Sequence, residues 1–200
     1  MTTWLHDERL DAVVAAVCES GAGSVLDLGC GDGACLLRLA PEPAIRRIVG
    51  LDLSAEALRA LRRRLQEMPA GQRDKVELRQ RSFLAPGAGL EGFDMAILVE
   101  SIEHVDPDRL TEAETAVFKR LSPAAAIITT PNAEFNPLLG VPGHRFRHPD
   151  HRFEWGRAKF RAWAEGVAAR CGYTVSHRDL GGSHPQLGGA SQMALFSRSV

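Results

Sequence analysis

The stretch that decides the fold is VLDLGCGDG, Val25 to Gly33, where a short apolar run passes directly into three glycines. Ser24 to Leu28 is typical of a buried strand, and a helix is predicted from Ala34 to Leu39 after the loop. The three glycines permit a tight turn and let a ligand approach the main chain closely, with helix-terminal N–H groups behind it. The stretch therefore predicts a strand, a nucleotide-binding loop and a helix.

Outward from this stretch, strand and helix patterns alternate along the chain. An earlier helix is predicted from His6 to Cys18. The other predicted strands are 48–52, 75–78, 94–99, 125–130, 174–178 and 192–197, with helices at 55–68, 109–120 and 157–171. This alternation is typical of the α/β class and predicts a doubly wound, mostly parallel sheet.

Composition narrows the class of protein. The chain has 200 residues, of which 44% are hydrophobic, and we expect a single domain over residues 1–200. No apolar run approaches the roughly 20 residues that span a bilayer, and the start, MTTWLHDERL, is too polar for a signal peptide. We therefore expect a cytoplasmic protein without a membrane partner. The net charge of −1 excludes a broadly basic protein that binds nucleic acid non-specifically.

The glycine loop leaves two cofactors open, because Gly29-x-Gly31-x-x-Ala34 also satisfies the fingerprint of NAD-binding proteins. Asp52 ends the second strand, where an acid can accept both hydroxyls of a ribose. Asp27, two residues before the first glycine, favours S-adenosylmethionine (SAM), since the run VLDLGCGDG resembles the motif of class I SAM-dependent methyltransferases. In that motif the acid lies near the methionine amino group.

The resemblance implies a Rossmann-like, seven-stranded, mostly parallel sheet whose last strand is antiparallel. Residues after the third strand usually meet the adenine in that fold, and here they are Ser82 and Phe83. A core position for Phe83 is an equally open alternative. The predicted SAM site consists of Asp27, Gly29, Gly31, Gly33, Asp52, Ser82 and Phe83.

Two carboxylates and an imidazole follow the fourth strand, at Glu100, Glu103 and His104. If the chain turns helical there, spacings of i, i+3 and i+4 place all three on one face. Such ligands suit Mg²⁺, Mn²⁺ or Co²⁺, and open α/β sheets bind ligands at this edge. We predict these residues as metal ligands and as the catalytic group, with His104 also able to take a proton. A solvated first helical turn is the alternative.

The segment from Gly140 to Trp155 is longer than the roughly 2 to 6 residues common for connections inside compact α/β domains, so we expect it to be functional. It carries His144, His148 and His151. The first two are interpreted as surface residues. For His151, pairing with Asp150 or Glu154 is the alternative to a functional role.

Four motifs together resemble the RNA 3′-terminal ribose 2′-O-methyltransferases of the Hua-enhancer type, including their bacterial methyltransferase domains. The motifs are E-x-x-E-H after the fourth strand, T-T-P-N-x-E-F-N after the fifth, D-H-R-F-E-W before the last helix and S-Q-M-A-L-F in the last strand. The resemblance covers nearly the whole chain. It implies that Glu100, Glu103, His104 and His151 hold a divalent metal, Mn²⁺, Mg²⁺ or Co²⁺.

The same resemblance implies that SAM methylates the 2′-hydroxyl of an RNA whose 3′ end has free 2′ and 3′ hydroxyls. Bacterial members act in RNA repair beside a kinase-phosphatase-ligase, so a role in repair or end protection and such a partner are implied. Arginine can grip phosphate bidentately. The residues predicted to bind RNA are Asn132, Arg145, Arg147 and Arg152.

Two other functions stay open at this point. The E-x-x-E-H run also occurs in O-methyltransferases of small catechol-like or quinone-pathway molecules, which a chelating metal would serve equally well. A degenerate fold that only binds a partner is disfavoured, because the acidic, glycine and histidine residues of both motifs are intact.

Overall fold

The computed structural model describes residues 4–199 and contains one seven-stranded sheet. The strands are β1 Ser24–Leu28, β2 Arg47–Asp52, β3 Val76–Gln80, β4 Met95–Val99, β5 Ala125–Pro131, β6 Tyr173–Leu180 and β7 Ser191–Arg198. Their order across the sheet is β3-β2-β1-β4-β5-β7-β6. The first five strands pair in parallel, and β7 is antiparallel to both β5 and β6. The predicted fold class is therefore confirmed.

The helices cover both faces of this sheet. They are α1 Trp4–Glu19, α2 Leu36–Leu39, α3 Ala55–Gln66, α4 Ala70–Arg73, α5 Leu110–Glu114 and α6 Arg157–Cys171. The long helix predicted at 109–120 is wrong as a single element, because a π-helical segment, Thr115–Leu121, follows α5. Three 3₁₀ helices that the sequence did not predict cover Ile102–His104, Pro107–Arg109 and Ala133–Leu139. None of the described helices is long and apolar enough to cross a membrane.

Alternate residues of the central strands enter two apolar layers. In β1, Leu26 packs in the layer that contains Phe160 of α6, whereas Val25 packs in the layer that contains Val13 of α1 and Leu61 of α3. Burial on both faces explains why these strands have continuous apolar sequences. The polar residues at the carboxyl ends of the parallel strands consequently share one edge of the sheet, where open α/β sheets bind ligands.

Candidate active site: two cavities that meet at Glu100

The glycine loop after β1 holds an acidic group in place. Gly29 and Gly31 have positive φ angles of 86° and 54°. The N–H of Gly31 donates to Asp52 Oδ2 at 2.8 Å, and the N–H of Ser54 donates to Oδ1 at 2.7 Å. A β-carbon at Gly29 would lie 2.6 Å from Ser101 Oγ, so a larger residue does not fit without rearrangement. The loop thereby fixes the Asp52 carboxylate at the end of β2.

A cavity of about 460 Å³ lies beside this loop, within the size range of small-ligand pockets. Phe83 lines the cavity and also packs against the apolar core, so its core alternative is confirmed in part and its contact with adenine stays a prediction. Leu53 remains 69% exposed and lines the cavity, although sequence analysis passed over it. Its position directly after Asp52 was the available signal. The predicted SAM residues on the cavity wall are Gly29, Gly31, Asp52, Ser82 and Phe83.

Gly33 and Asp27 do not line this cavity. Gly33 has a φ of 84°, and a β-carbon there would clash with a methyl group of Leu61, so glycine at this position is explained by packing against α3. The predicted contact of Gly33 with the cofactor stays a prediction. Asp27 is 2% exposed, and its Oδ2 has no hydrogen-bond partner. Burial, together with the charge of Asp52, raises the pKa of Asp27 to about 7. Its role toward SAM stays a prediction.

The turn after β4 differs from the predicted helical turn. Glu100 has a left-handed φ of 52°, and its N–H donates to both the carbonyl and the hydroxyl of Thr129, at 3.2 and 3.1 Å. Only afterwards does the chain form the 3₁₀ helix Ile102–His104. The prediction that Glu100, Glu103 and His104 share one helical face is therefore wrong, because the Glu100 N–H is hydrogen-bonded to Thr129 of β5 and not within a helix.

The Glu100 side chain lies between two cavities and lines both. Its Oε1 accepts a hydrogen bond from Thr129 Oγ1 at 3.1 Å, and its Oε2 lies 3.3 Å from Nη1 of Arg9. Arg9 Nη1 also donates to Ser191 Oγ at 3.2 Å. Helix α1 thus contributes an arginine to the site, which nothing in its amphipathic pattern indicated.

The Glu103 side chain is fully buried. Its Oε2 accepts a hydrogen bond from Thr130 Oγ1 at 3.1 Å, whereas its Oε1 has no partner in the described part of the chain. Burial raises the pKa of Glu103 well above its usual range, and the neighbouring charge of Glu100 raises it further. A buried carboxylate oxygen without a partner is costly, so this site calls for a cation or a proton.

The long loop brings His151 to this carboxylate. One possible ligand atom from each of Glu103, His104 and His151 lies within 4.8 Å of the other two, and the imidazole centroids are 4.9 Å apart. Burial lowers the pKa of His104, and the charges of His151 and His148 lower it further, which favours the neutral, ligating form. Two imidazoles beside an unpartnered carboxylate oxygen fit a divalent cation. Glu100 is outside this group of three.

The side chain of His148 is 54% exposed, as its surface interpretation predicted, and it also lies beside this site. Its ring centroid lies 6.0 Å from that of His104 and 5.6 Å from that of His151, and it lines the second cavity. The only signal in the sequence was its place three residues before His151. His144 is exposed and lies outside the lining of that cavity, as its surface interpretation predicted.

The second cavity has a volume of about 1070 Å³. Helix α1 forms one wall with Leu5, His6 and Arg9. The segment after β5 forms another wall with Leu139, Val141, Arg147, His148 and His151. Because His104 faces the first cavity and His151 the second, the candidate cation group lies where the two cavities meet.

Glu154 fastens the long loop. Its Oε1 accepts hydrogen bonds from His151 Nδ1 at 2.6 Å and from the N–H of Arg147 at 2.7 Å. Its Oε2 accepts one from Asn136 Nδ2 at 2.6 Å. The alternative pairing of His151 with Glu154 is thus present, but it uses Nδ1 and leaves Nε2 for the candidate cation group. Metal-ligating histidines commonly bond a carboxylate in this way.

The predicted RNA-binding arginines have different surroundings. Arg147 is half-buried, and its guanidinium donates to Asn136 Oδ1 and to the carbonyls of Ala190 and Asn132 at 2.6 to 2.7 Å. These acceptors are neutral, so the positive charge lies at the wall of the second cavity without a directly bound carboxylate. Arg145 is exposed, and Nε of Arg152 lies 3.4 Å from Oδ1 of Asp106. Their contacts with RNA stay predictions.

The predicted contact of Asn132 with RNA is corrected. Its side chain is fully buried, and its amide nitrogen donates to the carbonyls of Leu187 and Gly189 at 2.8 and 2.9 Å. Its Oδ1 accepts from the N–H of Glu134 at 3.0 Å. Asn132 therefore ties the end of β5 to the segment before β7 and has no surface that an RNA could reach.

Comparisons with known proteins agree with this geometry. A family model described as "Methyltransferase domain" matches residues 25–124. The small RNA 2′-O-methyltransferase of Mus musculus is 35% identical over 98% of this chain and 51% of its own length. The methyltransferase domain of bacterial CtHen1-C is 35% identical, with a TM-score of 0.87 over 98% of this chain and 100% of that one.

A chain in the Pnkp1/Rnl/Hen1 RNA repair complex is 23% identical, with a TM-score of 0.70 over 99% of this chain and 42% of that one, and it shares the fold. This chain spans about half the length of the curated relatives it matches.

Proposed function

The chain belongs to the Hen1 family of small RNA 2′-O-methyltransferases, and on this premise we propose that it transfers a methyl group from SAM to the 2′-hydroxyl of the 3′-terminal ribose of RNA. The observation that supports this most is the convergence of two cavities on one group of ligating side chains. The smaller cavity has the glycine loop and Asp52, and the larger one has His151 and Arg147. A methyl donor in the first would face an acceptor in the second.

In this proposal Asp52 accepts hydrogen bonds from the ribose of SAM, and the backbone of Gly29 and Gly31 lets the cofactor approach the main chain. Glu103, His104 and His151 hold a divalent cation, and the resemblance adds Glu100 as a fourth ligand. When bound, such a cation stabilises the alkoxide form of an acceptor hydroxyl. The proposal also gives His104 the role of accepting the proton that the hydroxyl loses.

One side chain on the wall of the acceptor cavity favours RNA over a small catechol-like molecule. Arg147, whose guanidinium donates to neutral acceptors, suits a phosphate better than an aromatic ring. The other arginines on the same wall, Arg9, Arg38 and Arg64, are paired with acids. The proposal includes protection or repair of RNA ends beside a kinase-phosphatase-ligase, for which the family resemblance is the support.

The proposal is tested by supplying tritiated SAM and Mn²⁺ with a short RNA that has a free 3′ end. Matched RNAs would carry a 2′-deoxy terminal sugar or a 3′-phosphate, and a catechol would serve as the small acceptor. We expect label only on the RNA with both hydroxyls free. Label on the catechol but on none of the RNAs would refute the proposed acceptor, and label on the 2′-deoxy RNA would refute the proposed position.

A further inference from the structure

His151 is a loop residue, and its ring needs a partner to keep one orientation. The ring Nδ1 is hydrogen-bonded to Glu154 Oε1 at 2.6 Å, and only 8% of the His151 side chain is exposed. A carboxylate at Nδ1 favours the tautomer with the proton on that nitrogen, which leaves the lone pair on Nε2. The partner of Nδ1 therefore decides whether His151 can present a free lone pair to Glu103 and His104.

Glu154 is itself held firmly. Its side chain is 1% exposed, and its two oxygens accept from His151, the Arg147 N–H and Asn136. The group is thus an enclosed carboxyl group that accepts from three donors, which holds it in one place.

The Glu154 carboxylate also positions Arg147 of the long loop. Asn136, which donates to Glu154 Oε2, accepts from Arg147 Nε through its own oxygen at 2.6 Å. Glu154 therefore holds Arg147 twice, at its backbone N–H and through Asn136. Arg147 lines the acceptor cavity together with His151.

From this geometry we propose that Glu154 is a positioning residue that sets two things at once: the orientation of His151 toward Glu103 and His104, and the place of Arg147 on the acceptor wall. The inference rests on the proposed function, because it assigns Glu154 to the cation and acceptor sides of that site. Glu154 contacts neither cavity, so its effect passes through the residues it holds.

A matched control exists in Glu134. This carboxylate also anchors the segment after β5, since it accepts from the backbone N–H of Arg157 at 2.7 Å and from the Arg157 guanidinium at 2.8 Å. It has no hydrogen bond with His151 or with Arg147 in the described part of the chain. Glu134→Gln therefore tests general loosening of this region, whereas Glu154→Gln tests the specific contact.

The first readout is Mn²⁺ affinity, measured by calorimetry on protein without RNA or SAM. Changes in residues that orient metal ligands typically cost roughly 10- to 100-fold in metal affinity. We expect the Mn²⁺ dissociation constant to rise about tenfold in Glu154→Gln and up to about 100-fold in Glu154→Ala. Glu134→Gln should keep the affinity of the unmutated protein, and SAM affinity should stay constant in all three variants.

The second readout is the tautomer of His151, read from ¹⁵N chemical shifts of histidine-labelled protein in alkaline buffer. We expect a proton on Nδ1 in the unmutated protein and a mixture of tautomers in Glu154→Gln. RNA affinity, measured in EDTA, should fall several-fold in Glu154→Ala and not in Glu134→Gln. The inference is overturned if Glu154→Gln keeps both the tautomer and the Mn²⁺ affinity, or if Glu134→Gln produces the same losses.

Failure of the proposed function is recognised separately. A protein that binds no Mn²⁺, or that methylates no RNA, would contradict the proposed function. The tautomer of His151 is read without either ligand, so it still decides the role of Glu154.

Discussion

In the proposed cofactor cavity, backbone groups of the turns after β1 and β2 hold Asp52, whereas in the proposed acceptor cavity side chains from distant segments of the chain converge. The N–H groups of Gly31 and Ser54 fix Asp52, and all three residues lie close together around β1 and β2. The cation group needs Glu103 and His104 after β4 and His151 from the long loop. The first arrangement depends on local backbone geometry, and the second depends on tertiary contacts.

This difference has a consequence for mutation. A change at Asp52 removes its contacts with a ligand and the acceptor of the N–H groups of Ser54 and of Gly31, which lines the cavity. A change in the acceptor half removes a ligand atom and also unbalances buried charges around Glu103. The two halves should therefore respond separately to mutation, with larger losses of activity in the acceptor half.

The largest effect is expected for Glu103→Ala. The substitution removes the buried carboxylate whose Oε1 has no protein partner, and methyl transfer to RNA should fall by about 100-fold or more. SAM affinity, measured by calorimetry, should change little, because the glycine loop and Asp52 are untouched. If the variant binds SAM far more weakly while its activity at saturating SAM is preserved, the division into two halves is wrong.

The corresponding experiment on the cofactor half is Asp52→Ala. Loss of a charged acceptor for two ribose hydroxyls should weaken SAM by about 2 to 3 kcal/mol. The Mn²⁺ dissociation constant should stay the same, and titration calorimetry gives both values. An equal SAM affinity in the variant would move the cofactor away from the cavity beside β2.

A smaller, pH-dependent effect is expected at Asp27. Its pKa is raised to about 7 by burial and by Asp52, so in the SAM-free fold it is protonated below that pH. Protonated Asp27 stabilises that fold at low pH, and this stability is lost as the pH rises through about 7. If ionised Asp27 pairs with the SAM amino group, SAM affinity should increase several-fold between about pH 6 and pH 7.5.

The control for this effect is Asp27→Asn, which cannot ionise. Its SAM affinity should be weaker than that of the unmutated protein above pH 7 and nearly flat over the same range. A variant that retains the full pH dependence would assign the titration to another group.

The smallest effect is expected for Arg145→Ala on the exposed part of the loop. Loss of one phosphate contact should weaken RNA binding a few-fold and reduce the slope of log affinity against log salt by about one. Fluorescence anisotropy across a salt series measures both. Unchanged affinity and slope would remove Arg145 from the RNA interface.

The same contrast explains how much could be predicted from the sequence. The strand, loop and acid of the cofactor half are local patterns, and β1 has the predicted bounds Ser24–Leu28. The packing of Gly33 against Leu61 was not predicted, because a glycine can serve close packing as well as ligand approach. A pattern of residue types does not distinguish these two uses.

In the acceptor half, the types of functional group were predicted from the sequence, but the positions of several side chains were not. The predicted helical turn at Glu100 was wrong because the N–H of Glu100 donates to Thr129 on the neighbouring strand β5. The predicted RNA contact of Asn132 was wrong because the segment before β7 covers its side chain, and the sequence pattern does not show that contact. Arg9 and His148 were missed because only tertiary packing brings α1 and the loop to the site. Local sequence contains no signal for the Arg9 contact, and for His148 it contains only the spacing to His151.

The central claim is that His151 from the long loop completes a cation site whose other members follow β4. The most direct test measures methyl transfer from tritiated SAM to RNA as a function of Mn²⁺ concentration, for the unmutated protein and for His151→Ala. EDTA should abolish the activity of the unmutated protein and Mn²⁺ should restore it. His151→Ala should lose most activity at limiting Mn²⁺ while its SAM affinity stays nearly unchanged. Full activity of His151→Ala at limiting Mn²⁺, or activity of the unmutated protein that EDTA leaves intact, would contradict the claim.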